Sequence, residues 1–389
     1  MPDVGEHNER VVLHAIRRHP EGVTQVELGR QSGLSRQAVS LIVRRLLARG
    51  LVRTVGTRSQ GRGKPATVLQ VVAPALNAAG VLLDPTGIGV VLVDLLGQIS
   101  GRRLLDPPTD DPPADVERIA KALAALQESR DGESGPVQGV GVASPGGIDS
   151  TRGFVVDPPW LPGWRDVPVV DLLAGATGLP VHLDKDTTAA LVGELWSAPA
   201  GSEEVVLYLY VGVGVGSALA VGGRVQRGAT IQAGEIGHLA TGLDGPLCGC
   251  GRHGCLGLFT DAQVLVERAR EAGVLTASGQ ASLHDLTAIA DAAEEGDPAA
   301  RGLVETHGRA LGEAVRILVG VHDPSRVVLG GPAWPALAPI ALPIVQEVGG
   351  AVRGDVPIAS GTAGRFAGAV GAAALVLDEE LTPRGTLRR

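Results

Sequence analysis

Aromatic side chains, lysine and cysteine are all scarce in this chain. Phe, Trp and Tyr make up 2% of 389 residues, lysine occurs only at positions 64, 121 and 185, and there are three cysteines. Three thiols cannot all pair, and the Cys248-Gly-Cys250 spacing places two of them poorly for a bond to each other, which argues against a disulfide framework. No run of about 18 uninterrupted apolar residues occurs, so no membrane-spanning helix is expected. The N-terminal MPDVGEHNER lacks a signal-peptide pattern. These absences lead us to expect a cytoplasmic protein with no membrane partner. Lysine is so rare that one placed in a pocket would stand out.

Gly, Ala, Val and Arg are abundant instead, and a hydrophobic content of 44% is enough for at least two domains. The net charge of −8 is unevenly spread. Residues 1–72 hold 12 Lys plus Arg against 5 Asp plus Glu, or +7, leaving 22 against 37, or −15, for the rest. A basic head on an acidic body implies that only the head meets a polyanion.

Within the head, residues 9–19 carry apolar side chains at helical spacing and stop at Pro20. Thr24-Gln-Val-Glu27 reads as a capping box opening a second helix that ends near Gly33. Ser35 then caps a third helix that stops at Gly50. Helix, short turn, helix is the helix-turn-helix pattern. In the third helix Ala38, Val39, Ile42, Val43, Leu46 and Leu47 form the expected buried stripe, which turns Ser35, Arg36, Gln37, Ser40, Arg44 and Arg45 toward DNA. LVRTV and ATVLQVV read as two strands around the basic tip TRSQGRGKP, a wing that places Arg58, Arg62 and Lys64 near phosphates or the minor groove. The implied partner is double-stranded operator DNA. A winged helix that docks on protein would share the pattern.

The most specific stretch is Gly234-Glu-Ile-Gly-His238 followed by Cys248-Gly-Cys250-Gly-Arg-His-Gly-Cys255. His238, Cys248, Cys250 and Cys255 supply three sulfurs and one imidazole, the ligand set of a structural tetrahedral Zn2+ site with no open position. A redox pair would more often read CxxC. His253 is the alternative imidazole, but in the short turn between Cys250 and Cys255 it would have to fold back on its neighbours.

After Pro74, strand-like runs alternate with helical ones, which marks an α/β body. AAGVLL and GVVLVDLLGQI read as strands and VERIAKALAALQES as a helix. VQGVGVASP and PVHLDKD follow as strands, then a helix TAALVGELW and the run EVVLYLYVGVGVGSALAVGG. Helical segments are expected over 261–274 and 303–321, then strand SRVVLGG and a last helix near AGAVGAAALVL.

The order of winged helix, GVASPGGID, LPGWRDVP, LDKDTTAALVGE, VGVGVGSALAVGGRVQRG, GEIGHLATGLDGPLCGCGRHGC and VVLGG closely resembles the ROK family of repressors, open reading frames and sugar kinases. The resemblance covers nearly the whole chain. It implies a mainly α winged helix-turn-helix over 1–74 and a two-lobed actin-like ATPase (ribonuclease H-like) effector and oligomerisation body over 75–380. The last helix, near 365–378, would pack back on the first lobe, ahead of a disordered tail over 381–389. It further implies a sugar pocket between the lobes, a zinc site beside it, and a homodimer or homotetramer. Two-fold pairing is also what helix-turn-helix proteins use to read two half-sites.

The resemblance also assigns the pocket. Asp186 matches the kinases' catalytic aspartate, although a helix-capping role would suit it too. Lys185 stands where the family has a sugar-binding asparagine. Glu235, His238 and Trp160 complete the candidate ligand set, with Lys185 open either to an anion or to a neighbouring Asp184 or Asp186, and Trp160 either to stacking on a sugar face or, as a lone loop tryptophan commonly does, to covering apolar core. The family's first phosphate loop, DxGGTK, here reads Leu82-Leu-Asp84-Pro85-Thr86-Gly87, which loses an N–H donor and adds negative charge. Gly212, Gly214 and Gly216 persist in the second loop and Gly330-Gly331 in a third turn, with either an architectural or a nucleotide-binding use. Gly257 replaces a glutamate expected to bind sugar hydroxyls. ATP binding and catalysis are therefore not expected, and a small carbohydrate-derived effector is. An active sugar kinase with a DNA-binding head and a ligand-independent regulator are the competing readings.

Overall fold

The computed structural model describes residues 4–59, 65–130, 134–276, 279–351 and 354–381. The head begins with α1 (Val4–Arg17), β1 (Val23–Thr24), α2 (Gln25–Ser32) and α3 (Arg36–Ala48), followed by β2 (Val52–Arg58) and β3 (Ala66–Val71). Its three strands pair in the order β1-β3-β2. Thr24 and Glu27 form the expected reciprocal capping box, and Gly33 ends α2 in a left-handed conformation. Val12, Ile16, Leu28, Val39, Ile42 and Leu46 close a small core between the helices and the sheet.

The first lobe of the body contains β4 (Asn77–Asp84), β5 (Gly87–Asp94), β6 (Ile99–Leu105), α4 (Pro112–Glu128) and β7 (Val137–Ser144). A ribbon of β8 (Gly147–Asp149) and β9 (Phe154–Asp157), then α5 (Val169–Thr177) and β10 (Val181–Lys185), complete it. Five of its strands pair in the order β10-β7-β4-β5-β6. The run GVVLVDLLGQI is not one strand: the Asp94 carboxylate accepts hydrogen bonds from the N–H groups of Leu96 and Gln98, and the chain turns there.

Next come α6 (Asp186–Ser197), β11 (Val205–Val211), β12 (Val215–Val221) and β13 (Arg224–Val225), and beyond the cysteine loop α7 (Gly257–Thr260), α8 (Ala262–Glu271), α9 (Leu283–Glu294) and α10 (Pro298–His322). The chain finishes with β14 (Arg326–Gly330), α11 (Trp334–Gly349), β15 (Ile358–Ser360) and α12 (Ala367–Leu381). The second sheet has the order β13-β12-β11-β14-β15, with β11 parallel to β14. Both sheets are mixed, because hairpins extend an otherwise parallel centre.

Sequence patterning missed α5, α9 and α11. The reason is clearest for α11, whose interior holds Pro339 and Pro343. Each removes a helical N–H, yet Leu337, Ala341 and Val345 are buried, and the helix is held against α10. Small residues also explain how a core so poor in aromatics can pack. A Cβ on Gly80 would lie 1.9 Å from the Ala369 carbonyl oxygen, and one on Gly141 the same distance from that of Ala372. The sheet backbone therefore meets α12 directly, and α12 packs against β4, β5 and β7 of the first lobe.

Candidate DNA-binding face, cysteine cluster and cleft

On α3 the Ser35 hydroxyl accepts the Ala38 N–H at 3.2 Å, so Ser35 is the N-cap. Ser35, Arg36, Gln37, Arg44 and Arg45 are exposed and Ser40 is half-buried. Leu47, expected in the stripe, is exposed at 38% and Ala38 is only half-buried; Leu41 is exposed as well. The stripe is narrower than its apolar residues suggest because β2 and α1 cover only one side of α3. Arg58 is not in the tip. It ends β2, and its guanidinium donates to the Gly22 carbonyl at 3.3 Å and faces Glu27 at 3.5 Å. Arg62 and Lys64 lie outside the described residues.

The head is seated on the body through α1. Arg17 is buried, its guanidinium 3.7 Å from the centre of the Trp196 ring, and it donates to the Trp196 carbonyl at 2.8 Å. Burial lowers the Arg17 pKa to about 10, against the opposing influence of Asp378. Trp196 is near the end of α6, whose first residue is Asp186. One helix therefore runs from the cleft to the seat of the head. Sequence reading missed this contact, and no local pattern near residue 17 signals it.

His238, Cys248, Cys250 and Cys255 offer ligand atoms that all lie within 4.8 Å of one another. Cys248 Sγ is 3.3 Å from His238 Nδ1, and Cys250 Sγ is 3.5 Å from Cys255 Sγ. A tetrahedral site with metal–sulfur bonds of about 2.3 Å needs ligand atoms roughly 3.5–3.8 Å apart, so the donor set fits a metal ion. The loop is built for convergence. Cys248 N–H donates to the Arg252 carbonyl and Gly251 N–H to that of Cys248, closing a tight turn, while Ala240 and Cys255 bridge across the base. His253 faces away, its Nδ1 3.1 Å from the Gly245 carbonyl oxygen.

Between the lobes lies a cavity lined by Asp84, Trp160, Lys185, Asp186, Tyr210 and Glu235, among others. The ends of β4, β10 and β11, the start of α6 and the 213–216 turn converge there. Lys185 is buried and its ammonium pairs with the exposed Glu235 carboxylate. Neither Asp184 nor Asp186 is its salt-bridge partner; Asp184 instead takes the Arg227 guanidinium at 2.7 Å. Asp186 accepts the Thr187 N–H at 2.7 Å, and burial, opposed chiefly by Lys185, pushes its carboxyl up to about 7. His238 is absent from the cavity lining because its ring is turned to the thiols. Trp160 is 53% exposed at the rim with φ 63, so it covers no core; Trp164 is the buried one.

The turn joining β4 and β5 is occupied by its own side chain. Asp84 Oδ1 accepts the Thr86 N–H at 2.9 Å and the Thr86 hydroxyl, and Oδ2 lies 3.6 Å from where a Cβ on Gly212 would be. Desolvation by burial raises the Asp84 pKa. The remaining glycines sort by space. A Cβ on Gly216 would meet Thr187 at 2.6 Å and one on Gly330 the Tyr208 hydroxyl at 2.1 Å, so both permit close approach, whereas Gly214 has open space around it. Two further residues of the cleft escaped sequence reading. The hydroxyls of Tyr210 and Thr187 are buried without a hydrogen-bond partner. The signal for Tyr210 was available: the chain's two tyrosines sit two apart on one strand, facing the same side.

A family model described as the ROK family matches residues 79–379, and one described as the MarR family matches residues 8–63. The chain belongs to the ROK family. This ROK chain is 30% identical over 314 residues to a glucokinase of Thermotoga maritima, covering 78% of the chain and 98% of the glucokinase. It is 27% identical over 336 residues to a putative xylose repressor of a Caldicellulosiruptor species, covering 84% and 83%. In three dimensions it is similar, with a TM-score of 0.72 and 22% identity, to a ROK family transcriptional regulator described as a homolog of the Escherichia coli Mlc protein. That match covers 97% and 98% of the two chains and carries the fold, head included. The fold is thus a MarR-type winged helix joined to the ROK actin-like body. Among the described residues, no helix is long and apolar enough to cross a membrane.

Proposed function

We propose that this ROK chain is a sequence-specific DNA-binding transcriptional regulator, a repressor, governed by a small carbohydrate-derived effector in a cleft that no longer phosphorylates sugars. One observation carries the loss of kinase activity: Asp84 takes the donors of the turn where the family resemblance puts the first phosphate loop. A triphosphate placed there would meet a carboxylate in a low-dielectric wall and find Pro85 without an N–H. Phosphoryl transfer is mostly positioning and charge stabilisation, so a cleft that repels the donor retains little rate even with Asp186 in place.

DNA binding falls to Arg36, Gln37, Arg44 and Arg45 on the exposed face of α3, with Ser35 and Ser40 beside them. The wing residues Arg62 and Lys64 belong to the same proposal, while Arg58 acts by bracing the wing against α2. Arg17 and Trp196 join the head to α6, so a ligand that moves Asp186 and the start of α6 changes the seat of α1. The coupling is a difference in ligand affinity between two arrangements of the head. A homo-oligomer, dimer or tetramer, presents two heads to two half-sites.

Zn2+ is the metal that three thiolates and one imidazole favour, held by His238, Cys248, Cys250 and Cys255. Four protein ligands leave it no open position, so it braces the loop that carries Glu235. The test has two arms. Full-length protein incubated with sheared genomic DNA from its own organism should enrich a short inverted repeat, and Arg36→Ala with Arg44→Ala should abolish enrichment while circular dichroism stays unchanged. A coupled assay with ATP and a panel of sugars should show no turnover; turnover lost in Asp186→Asn would establish the kinase reading instead.

A further inference from the structure

Carboxyl groups outnumber cations in the cleft, and burial raises the pKa of Asp84 and Asp186, so a cation brought in by a ligand would favour their ionised forms. Three carboxylates, Asp84, Asp186 and Glu235, face one ammonium, that of Lys185, and this ammonium is already paired with Glu235. The nearby Arg227 guanidinium is held by Asp184. Asp84 and Asp186 each use one oxygen, Oδ1, to accept hydrogen bonds from the residues that follow them, and Oδ2 of each accepts none among the described residues.

Two more groups await partners in the same wall. The Tyr210 and Thr187 hydroxyls are buried, line the cavity and have no hydrogen-bond partner. A buried hydroxyl left unpaired destabilises the fold, and a bound ligand would supply the missing partner. At the rim, Trp160 keeps an exposed ring on a left-handed backbone, a conformation unfavourable for a non-glycine residue. Its ring face is electron-rich and favours a cation.

Resting on the effector role proposed for this cleft, we infer that its ligand is a compact polyhydroxylated molecule bearing an ammonium group, such as an amino sugar, and not a sugar phosphate. The ammonium donates to the free Oδ2 atoms of Asp84 and Asp186, and the ligand hydroxyls satisfy Tyr210 and Thr187. Trp160 covers the outer face. A phosphate gains nothing comparable, because Lys185 would first have to leave Glu235 and Asp84 would still oppose it.

The test is isothermal titration of the full-length protein with glucosamine, mannosamine and galactosamine, their parent hexoses and the corresponding hexose 6-phosphates. Ionic strength is matched with sodium chloride. At least one amino sugar should bind ten-fold or more tightly than its parent hexose and its phosphate counterpart. Asp84→Asn, or Asp186→Asn should the first variant fold poorly, should remove most of that preference. Tighter binding of a hexose or a hexose phosphate, or a preference unchanged in both variants, overturns the inference while leaving an effector in the cleft. Silence from all three classes sinks the effector reading and the inference together.

Discussion

The cysteine loop and the turn between β4 and β5 are both short and both flank the cleft, yet they close in opposite ways. In the first, four potential ligand atoms converge within 4.8 Å of one another, and the proposed Zn2+ would complete the loop. In the second, Asp84 folds onto the donors of its own turn, so the place of an external anion is filled from within. A short loop can keep its geometry by recruiting an ion or by internalising the charge that an ion would bring. On the function proposed above, this chain does each once.

Breaking the cysteine loop should have the largest effect. Cys255→Ala removes a fully buried ligand, and we expect bound zinc to fall from about one per chain to near zero and stability to fall by about 3 kcal/mol or more. Metal analysis with thermal unfolding checks both, and unchanged zinc content would refute the assigned site. A smaller effect of the opposite kind is expected at the turn. Asp84→Ala forfeits two hydrogen bonds but relieves a buried carboxylate, so the net stability change should stay within about 1 kcal/mol. In exchange, pyrophosphate should raise the variant's melting temperature and leave the parent's unchanged.

Asp186 sharpens the contrast through pH. Its folded pKa, raised to about 7, exceeds that of an unfolded aspartate, so its contribution is fully present below about pH 4 and is lost as pH rises toward 7. Asp186→Asn stays neutral, and its unfolding free energy, followed by denaturant titration across that window, should decline less, by up to about 4 kcal/mol. The smallest effect should come from His253→Ala. That imidazole faces the Gly245 carbonyl, so zinc content should not change and stability should move by less than about 0.5 kcal/mol.

How much of this was legible depends on how far apart the cooperating residues lie. The capping box at Thr24 and Glu27, the Ser35 cap and the cysteine cluster are each written within 18 residues, and their geometry follows from turn chemistry. The exposure of Leu47 and the inward turn of Arg58 escaped a periodicity argument, because each depends on which neighbour covers a face. α11 escaped because its prolines argue against a helix that only burial against α10 maintains. Asp84 and Pro85, where the family resemblance puts the first phosphate loop, could be read from the sequence, but the capture of the Thr86 donors by Asp84 could not.

The winged head, the alternating α/β body and the four-donor cluster can be read locally, since each is a pattern of nearby residues whose backbone preferences and side-chain chemistry agree. Which charges meet is a matter of how distant elements pack. Lys185 pairs with Glu235, 50 positions away, and not with the aspartates beside it in sequence. Arg17 stacks on Trp196, 179 positions away, and so ties the head to the helix that starts in the cleft. Long-range pairings of this kind are fixed by which elements the core brings together, and no window of local sequence contains both partners.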